Sequence, residues 1–194
     1  MNKIILIGGG GHCKSVIDVI EQEGKFKIAG IIDKPEFLGS NILNYKVIGN
    51  DFDLKNLAKK YSYALITVGQ IKSPSIRIKL FKLAKKSGFL FPIIISPKAY
   101  VSKYSKIKEG TIVMHGAIIN SNVTIGENCI INSNALIEHG VKIGDNCHIS
   151  TSTTINGEVT IEDEVFVGSG SIIREEIKIK KKSIVPMGTK LFKN

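Results

Sequence analysis

Histidine is the side-chain type whose ordinary titration lies nearest neutral pH, and this sequence of 194 residues contains four: His12, His115, His139 and His148. His139 stands two residues after an aliphatic Ile137. Past that inward residue it is expected on the outer surface of a face, where it could take a proton from a bound molecule. A second chemical signal opens the chain. Gly8 to Gly11 form a run of four glycines between an apolar stretch and His12, and such a loop at the start of a helix can hold phosphate through backbone N–H groups. Gly9, Gly10 and Gly11 are the expected phosphate cradle, His12 faces what lies beyond the phosphates, and Asp33, about 20 residues on, is placed for a ribose or base. Cys13 occupies the place of the third glycine in the dinucleotide pattern, so a nucleotide other than NAD is expected.

The elements that must carry these residues fall into two halves. In the first, Lys3–Ile7, Lys27–Ile32 and Tyr63–Val68 read as strands, while His12–Glu23, Leu54–Lys60 and Ile76–Lys86 read as helices. Strands alternating with helices imply a small parallel α/β sheet over residues 1–92. The stretch from Phe91-Pro92 to Pro97 reads as the passage to a second domain, residues 98–194.

That second half is periodic. Every sixth residue from Val101 to Leu191 is Val, Ile or Leu, an agreement expected by chance on the order of 10⁻⁸. The position two before each aliphatic is small or β-branched in nearly every case, as at Ala117, Cys129, Ala135 and Cys147, which suits a tight corner beside a bulky inward side chain. Gly and Asn follow the aliphatics, as in Ile125-Gly126-Glu127-Asn128, and suit the positive φ of sharp turns. Three hexads make one triangular coil of about 18 residues, so about five coils are expected.

This half resembles the hexapeptide-repeat, left-handed β-helix acyltransferases. With Gly8-Gly9-Gly10-Gly11-His12, Asp33, Gly69-Gln70 and Arg77 added, almost the whole chain resembles the family of sialic-acid O-acetyltransferases and nucleotide-aminosugar N-acetyltransferases. The resemblance implies a Rossmann-like α/β domain followed by an all-β left-handed parallel β-helix, assembled as a homotrimer. It implies transfer of acetyl from acetyl-CoA to the amine of a nucleotide-linked sugar, a UDP-4-amino-4,6-dideoxy sugar by the nearest relatives, with O-acetylation of a sialic or nonulosonic acid as the alternative. Carried over residue by residue, His139 is the general base and His148 lies beside the thioester. Gly9, Gly10, Gly11, His12, Asp33, Gly69, Gln70, Arg77 and Asn132 bind the sugar nucleotide, and His148, Gly157, Gly168 and Ser169 bind acetyl-CoA. There is one departure in the catalytic segment. Relatives often carry a carboxylate directly after the catalytic histidine, where this chain has Gly140, so the acid that orients the imidazole is either supplied by another chain or missing. The tail, Val185-Pro186-Met187-Gly188-Thr189-Lys190, keeps only part of the adenine-side pattern.

Composition narrows the remaining classes. With 43% hydrophobic residues the chain can bury a core, and no apolar run approaches the roughly 20 residues of a membrane helix. The net charge of +10 is spread along the chain, and eight Phe, five Tyr and no Trp give no interleaved aromatic motif, which argues against nucleic acid. The three cysteines, Cys13, Cys129 and Cys147, are too few and scattered for a disulfide framework, and the start lacks a signal-peptide pattern; a cytoplasmic protein is expected. The histidine spacings do not suit three ligands converging on zinc, so no metal is expected. A non-catalytic nucleotide-binding scaffold remains the rival that Gly140 leaves open.

Overall fold

The computed structural model describes residues 1–193, and the chain divides into two compact units. One comprises residues 1–69 and 75–92, the other residues 70–74 and 93–194.

The first unit is an α/β layer structure. Strands β1 (Asn2–Ile7), β2 (Phe26–Ile32), β3 (Asn41–Ile42), β4 (Tyr45–Gly49) and β5 (Tyr63–Ile66) form one sheet in the order β3-β4-β2-β1-β5. All neighbours are parallel except β3 and β4, which pair as an antiparallel hairpin. Ile4 to Ile7 are all buried, as a parallel strand covered on both faces requires. Helix α1 (Gly11–Glu23) buries Cys13, Val16, Ile17, Val19 and Ile20 on one stripe. It ends at Gly24, whose φ of 67° lets its N–H reach the Ile20 carbonyl. Helix α2 (Leu54–Leu57) is only one turn, shorter than the apolar pattern suggests, and follows a capping box in which Asn50 and Asp53 bind each other's backbone. Helix α3 (Ser75–Ser87) buries Leu80, Phe81 and Ala84.

The second unit carries the hexad repeat. Among its described residues are seventeen two-residue strands at six-residue intervals, from β6 (Ile94–Ile95) to β22 (Lys190–Leu191), forming three parallel sheets of six, five and six strands. Each strand pairs with the one 18 residues on, so one coil is three hexads. The solenoid begins one hexad earlier than the linker composition suggests, because Ile94 and Ser96 donate to the Thr111 and Val113 carbonyls while Pro97 falls at a corner that needs no donor. The aliphatic second residue of each strand points inward, and Ile119, Ile131, Ile137, Ile149 and Ile155 are fully buried. Cys129 and Cys147 fill buried corner positions, and all three cysteines are free thiols.

The corner chemistry differs from expectation in one respect. The left-handed conformation falls on the third residue after the aliphatic, at Asn122, Asn128, Asn134, Gly140, Asn146 and onward, and Glu158, Glu164 and Glu176 adopt it too. Gly126 and Gly144, directly after the aliphatic, do not adopt it. They are glycines because the next coil's backbone stands where a Cβ would go, 2.6 Å away at Asp145 N and 2.7 Å away at Asp163 N.

Candidate active site

In the α/β unit the glycine loop lines an open cavity of about 1440 Å³. Each glycine has its own reason. Gly8 has φ +104°, and a Cβ there would overlap the Val68 side chain; at Gly9 a Cβ would overlap Ile42 and crowd Asp33. Nothing lies within 4 Å of the Cβ positions of Gly10 and Gly11, so only these two leave backbone open to the cavity, at the N-terminus of α1, which no side chain caps. Asp33 holds the loop: its Oδ2 accepts from Gly9 N at 2.9 Å and its Oδ1 from Lys34 N at 2.8 Å.

His12 and Gly69 also line this cavity, but Arg77 does not. Arg77 is buried, and its guanidinium donates to the Val68 carbonyl at 2.6 Å, tying α3 to the chain that follows β5. Sequence reasoning missed the basic and aromatic lining. Lys14, Lys55, Lys79 and Lys86 supply positive charge, and Phe37 and Phe52 supply exposed rings. The helical spacing of Ile76, Lys79, Leu83 and Lys86, three and four residues apart on one side of α3, was the available signal.

In the β-helix unit the expected residues form two groups. In the first, His148 is buried on its strand (His148–Ile149), and its Nδ1 lies 2.6 Å from the Gln70 carbonyl oxygen. A carbonyl only accepts, so Nδ1 carries the proton, and in the neutral ring Nε2 accepts from Asn132 Nδ2 at 3.2 Å. The Phe166 ring meets the imidazole edge-on at 5.2 Å. Gln70 itself is buried, and its carboxamide makes no hydrogen bond among the described residues.

The second group surrounds His139, in the corner after the strand Leu136–Ile137. Its side chain is 65% exposed, with Nδ1 3.8 Å from Glu158 Oε1. Gly157 lies against the ring: a Cβ there would stand 2.7 Å from His139 Cε1 and 2.9 Å from Nε2. Glu138, next in sequence, is turned to a different partner and accepts from Asn120 Nδ2 at 2.9 Å.

The remaining expected positions in this unit, Gly168 and Ser169, touch neighbouring coils. Gly168 is pressed by the next coil, with Met187 Cα 2.7 Å from a built Cβ, and Ser169 Oγ shares a hydrogen bond with Ser150 Oγ at 2.8 Å. His115 Nδ1 lies 2.6 Å from Ser96 Oγ. The lysines toward the C-terminus are drawn to acids one coil back: Lys181 reaches Asp163 at 3.4 Å and Glu164 at 3.5 Å, and Lys178 reaches Glu162 at 2.7 Å. Hydrogen bonds to those carboxylates push the Lys181 ammonium above its ordinary value and hold Glu162 below its own. Among the described residues, no group of three or more His, Cys, Asp or Glu is arranged to hold a metal ion, and no helix is long and apolar enough to cross a membrane.

Comparison with known proteins accounts for both units. The PglD N-terminal domain matches residues 3–83, the bacterial transferase hexapeptide matches residues 104–139 and 122–157, and the hexapeptide repeat of succinyl-transferase matches residues 158–193. No curated protein matches the sequence significantly. Among solved structures, a histidine-to-asparagine mutant of perosamine N-acetyltransferase from Caulobacter crescentus, in complex with CoA and GDP-perosamine, is similar at 26% identity and TM-score 0.80, over 96% of this chain and 94% of that one. The acetyltransferase domain of PglB from Neisseria gonorrhoeae FA1090, in complex with acetyl coenzyme A, is similar at 25% identity and TM-score 0.69, over 97% and 98% of the two chains. WeeI from Acinetobacter baumannii AYE shares the fold at 24% identity and TM-score 0.84, over 97% and 90%. The three stacked sheets are therefore those of a left-handed parallel β-helix, and the chain belongs to the hexapeptide-repeat acyltransferases, in the nucleotide-aminosugar acetyltransferase family that joins such repeats to a PglD N-terminal domain.

Proposed function

We propose that the protein transfers the acetyl group of acetyl-CoA to the amine of a nucleotide-linked 4-amino-4,6-dideoxy sugar, with His139 as general base. The observation that carries this reading is an exposed imidazole backed by Gly157 and facing a carboxylate, the arrangement a base needs to receive a proton. The similar perosamine N-acetyltransferase, bound to CoA and GDP-perosamine, supports an amine acceptor and a nucleotide carrier. The carrier we expect is UDP, and GDP is the direct competitor.

The α/β unit holds the nucleotide. Gly10 and Gly11 offer backbone N–H groups to its phosphates, while Lys14 and Lys79 supply charge along the same cavity. In the transfer, the sugar nitrogen attacks the thioester carbonyl carbon and a C–N bond forms. His139 takes a proton from that nitrogen, the C–S bond breaks, and CoA leaves as the thiolate, which takes up a proton; the products are the N-acetyl sugar and free CoA. His148, with its proton held on Nδ1 by the Gln70 carbonyl, and Asn132, bonded to its Nε2, form a fixed polar pair that positions the reacting groups. Gly157, Gly168 and Ser169 line the path of the CoA arm.

We further propose that the protein works as a homotrimer. One face of the solenoid carries an outward stripe of Tyr100, Ile118, Leu136, Thr154 and Ile172, apolar except at Thr154 and with Tyr100, Ile118 and Ile172 exposed, whereas another presents Lys106, Thr124, Lys142 and Lys178. An apolar stripe of this kind is what a second copy would cover.

Incubation with acetyl-CoA and either UDP- or GDP-4-amino-4,6-dideoxyhexose, followed by mass and NMR analysis, tests the reading. A gain of one acetyl group on the sugar nitrogen is expected. No acetylation of either amine, with turnover of a sialic acid instead, would replace it.

A further inference from the structure

Residues 157 and 158 lie one 18-residue coil beyond 139 and 140, and the Glu158 N–H donates to the His139 carbonyl at 3.0 Å. This register stacks Gly157 on the imidazole and Glu158 on Gly140. A Cβ built on Gly140 would overlap the Glu158 carboxylate, so the acid fills the space a side chain at 140 would need. Position 140 is a glycine and the negative charge beside His139 comes from the next coil of the same chain.

We propose that Glu158 is the positioning residue for His139, a role that rests on His139 being the base. With Oε1 3.8 Å from Nδ1, the carboxylate is one small side-chain rotation from accepting an Nδ1–H hydrogen bond. A proton held on Nδ1 leaves Nε2 as the basic nitrogen, whereas free neutral histidine favours the proton on Nε2. Because both side chains are more than half exposed, the pair adds little to stability. Its effect falls on where the imidazole proton sits and how the ring is turned.

The corner geometry supplies clean variants. Glu158 has φ 58°, and Asn122, Asn128, Asn134 and Asn146 hold the same left-handed conformation, so Glu158→Asn keeps the backbone. Glu164 and Glu176 hold it too, so Gly140→Glu is tolerated once the Glu158 carboxylate is removed. The test compares wild type, Glu158→Asn, the double variant Gly140→Glu/Glu158→Asn, and His139→Asn. It reads ¹⁵N NMR of the His139 imidazole without substrate, and turnover with acetyl-CoA and the UDP- and GDP-linked amino sugars. In Glu158→Asn the neutral ring should move toward the Nε2–H tautomer and kcat should fall about 10- to 100-fold, with KM and thermal midpoint unchanged. The double variant should regain most of both. An unchanged tautomer and kcat in Glu158→Asn, with His139→Asn inactive, would overturn the role of Glu158 alone. Undiminished turnover in His139→Asn would overturn the base assignment and this role with it.

Discussion

At His139 the residues that decide what the imidazole can do belong to the following coil. Gly157 leaves the ring its place, since a Cβ at 2.7 Å from Cε1 would force the exposed side chain to swing away. Gly157 is not among the left-handed residues, so its backbone accepts alanine. We expect Gly157→Ala to lower kcat about tenfold or more while the thermal midpoint holds within a few degrees, because the group that must yield is the exposed His139 ring and not packed backbone. Steady-state kinetics beside a melting curve checks this, and unchanged kcat would show that the ring has other room. The exposure of His139 was legible from its place beyond the inward Ile137, but the neighbouring acid was not, because Glu158 is 19 residues away in sequence. Only the coil length, taken as a stacking register, brings 158 onto 140. The place of Arg77 was equally hidden in the sequence: its guanidinium is buried and donates to the Val68 carbonyl inside the unit.

Among the elements, the start of α1 does two jobs. Its first residues open backbone to the cavity, and Cys13 anchors them with a fully buried thiol. Burial, opposed by a hydrogen bond with Thr67 and assisted by the charge of Asp33, pushes the Cys13 thiol up from 9.0 to about 11. The folded state thus keeps a proton that the unfolded chain releases. The stability tied to it is fully present below pH 9 and is lost as pH rises through about 11. Thermal melts from pH 8 to 11 should show a falling midpoint, with a shallower fall in Cys13→Ala; parallel slopes would refute this. The three strands of the parallel core and both long helices were legible because each carries its own periodicity. The hairpin of β3 and β4 was not, since Leu43 holds its turn with φ 50° where an Asn-Gly pair would have announced it.

For the whole molecule, the repeat is the most redundant signal in the chain. Most hexads set their own inward aliphatic, buried corner and left-handed turn, so no single exception hides the coil. Association is less legible, because the outward stripe of Tyr100, Ile118 and Ile172 appears only once strands 18 residues apart are stacked. Light scattering after gel filtration should give three times the chain mass, and Ile118→Lys should reduce it; an unchanged monomeric mass for the wild type would remove the trimer.

Acetyl transfer with His139 as base is tested most directly by the initial rate of free-thiol release from acetyl-CoA in the presence of the nucleotide-linked amino sugars, for the wild type and His139→Asn side by side. The expected result is rapid, sugar-dependent release by the wild type that falls about 10²- to 10⁴-fold in the variant. Equal rates for the two proteins would contradict the assignment of His139.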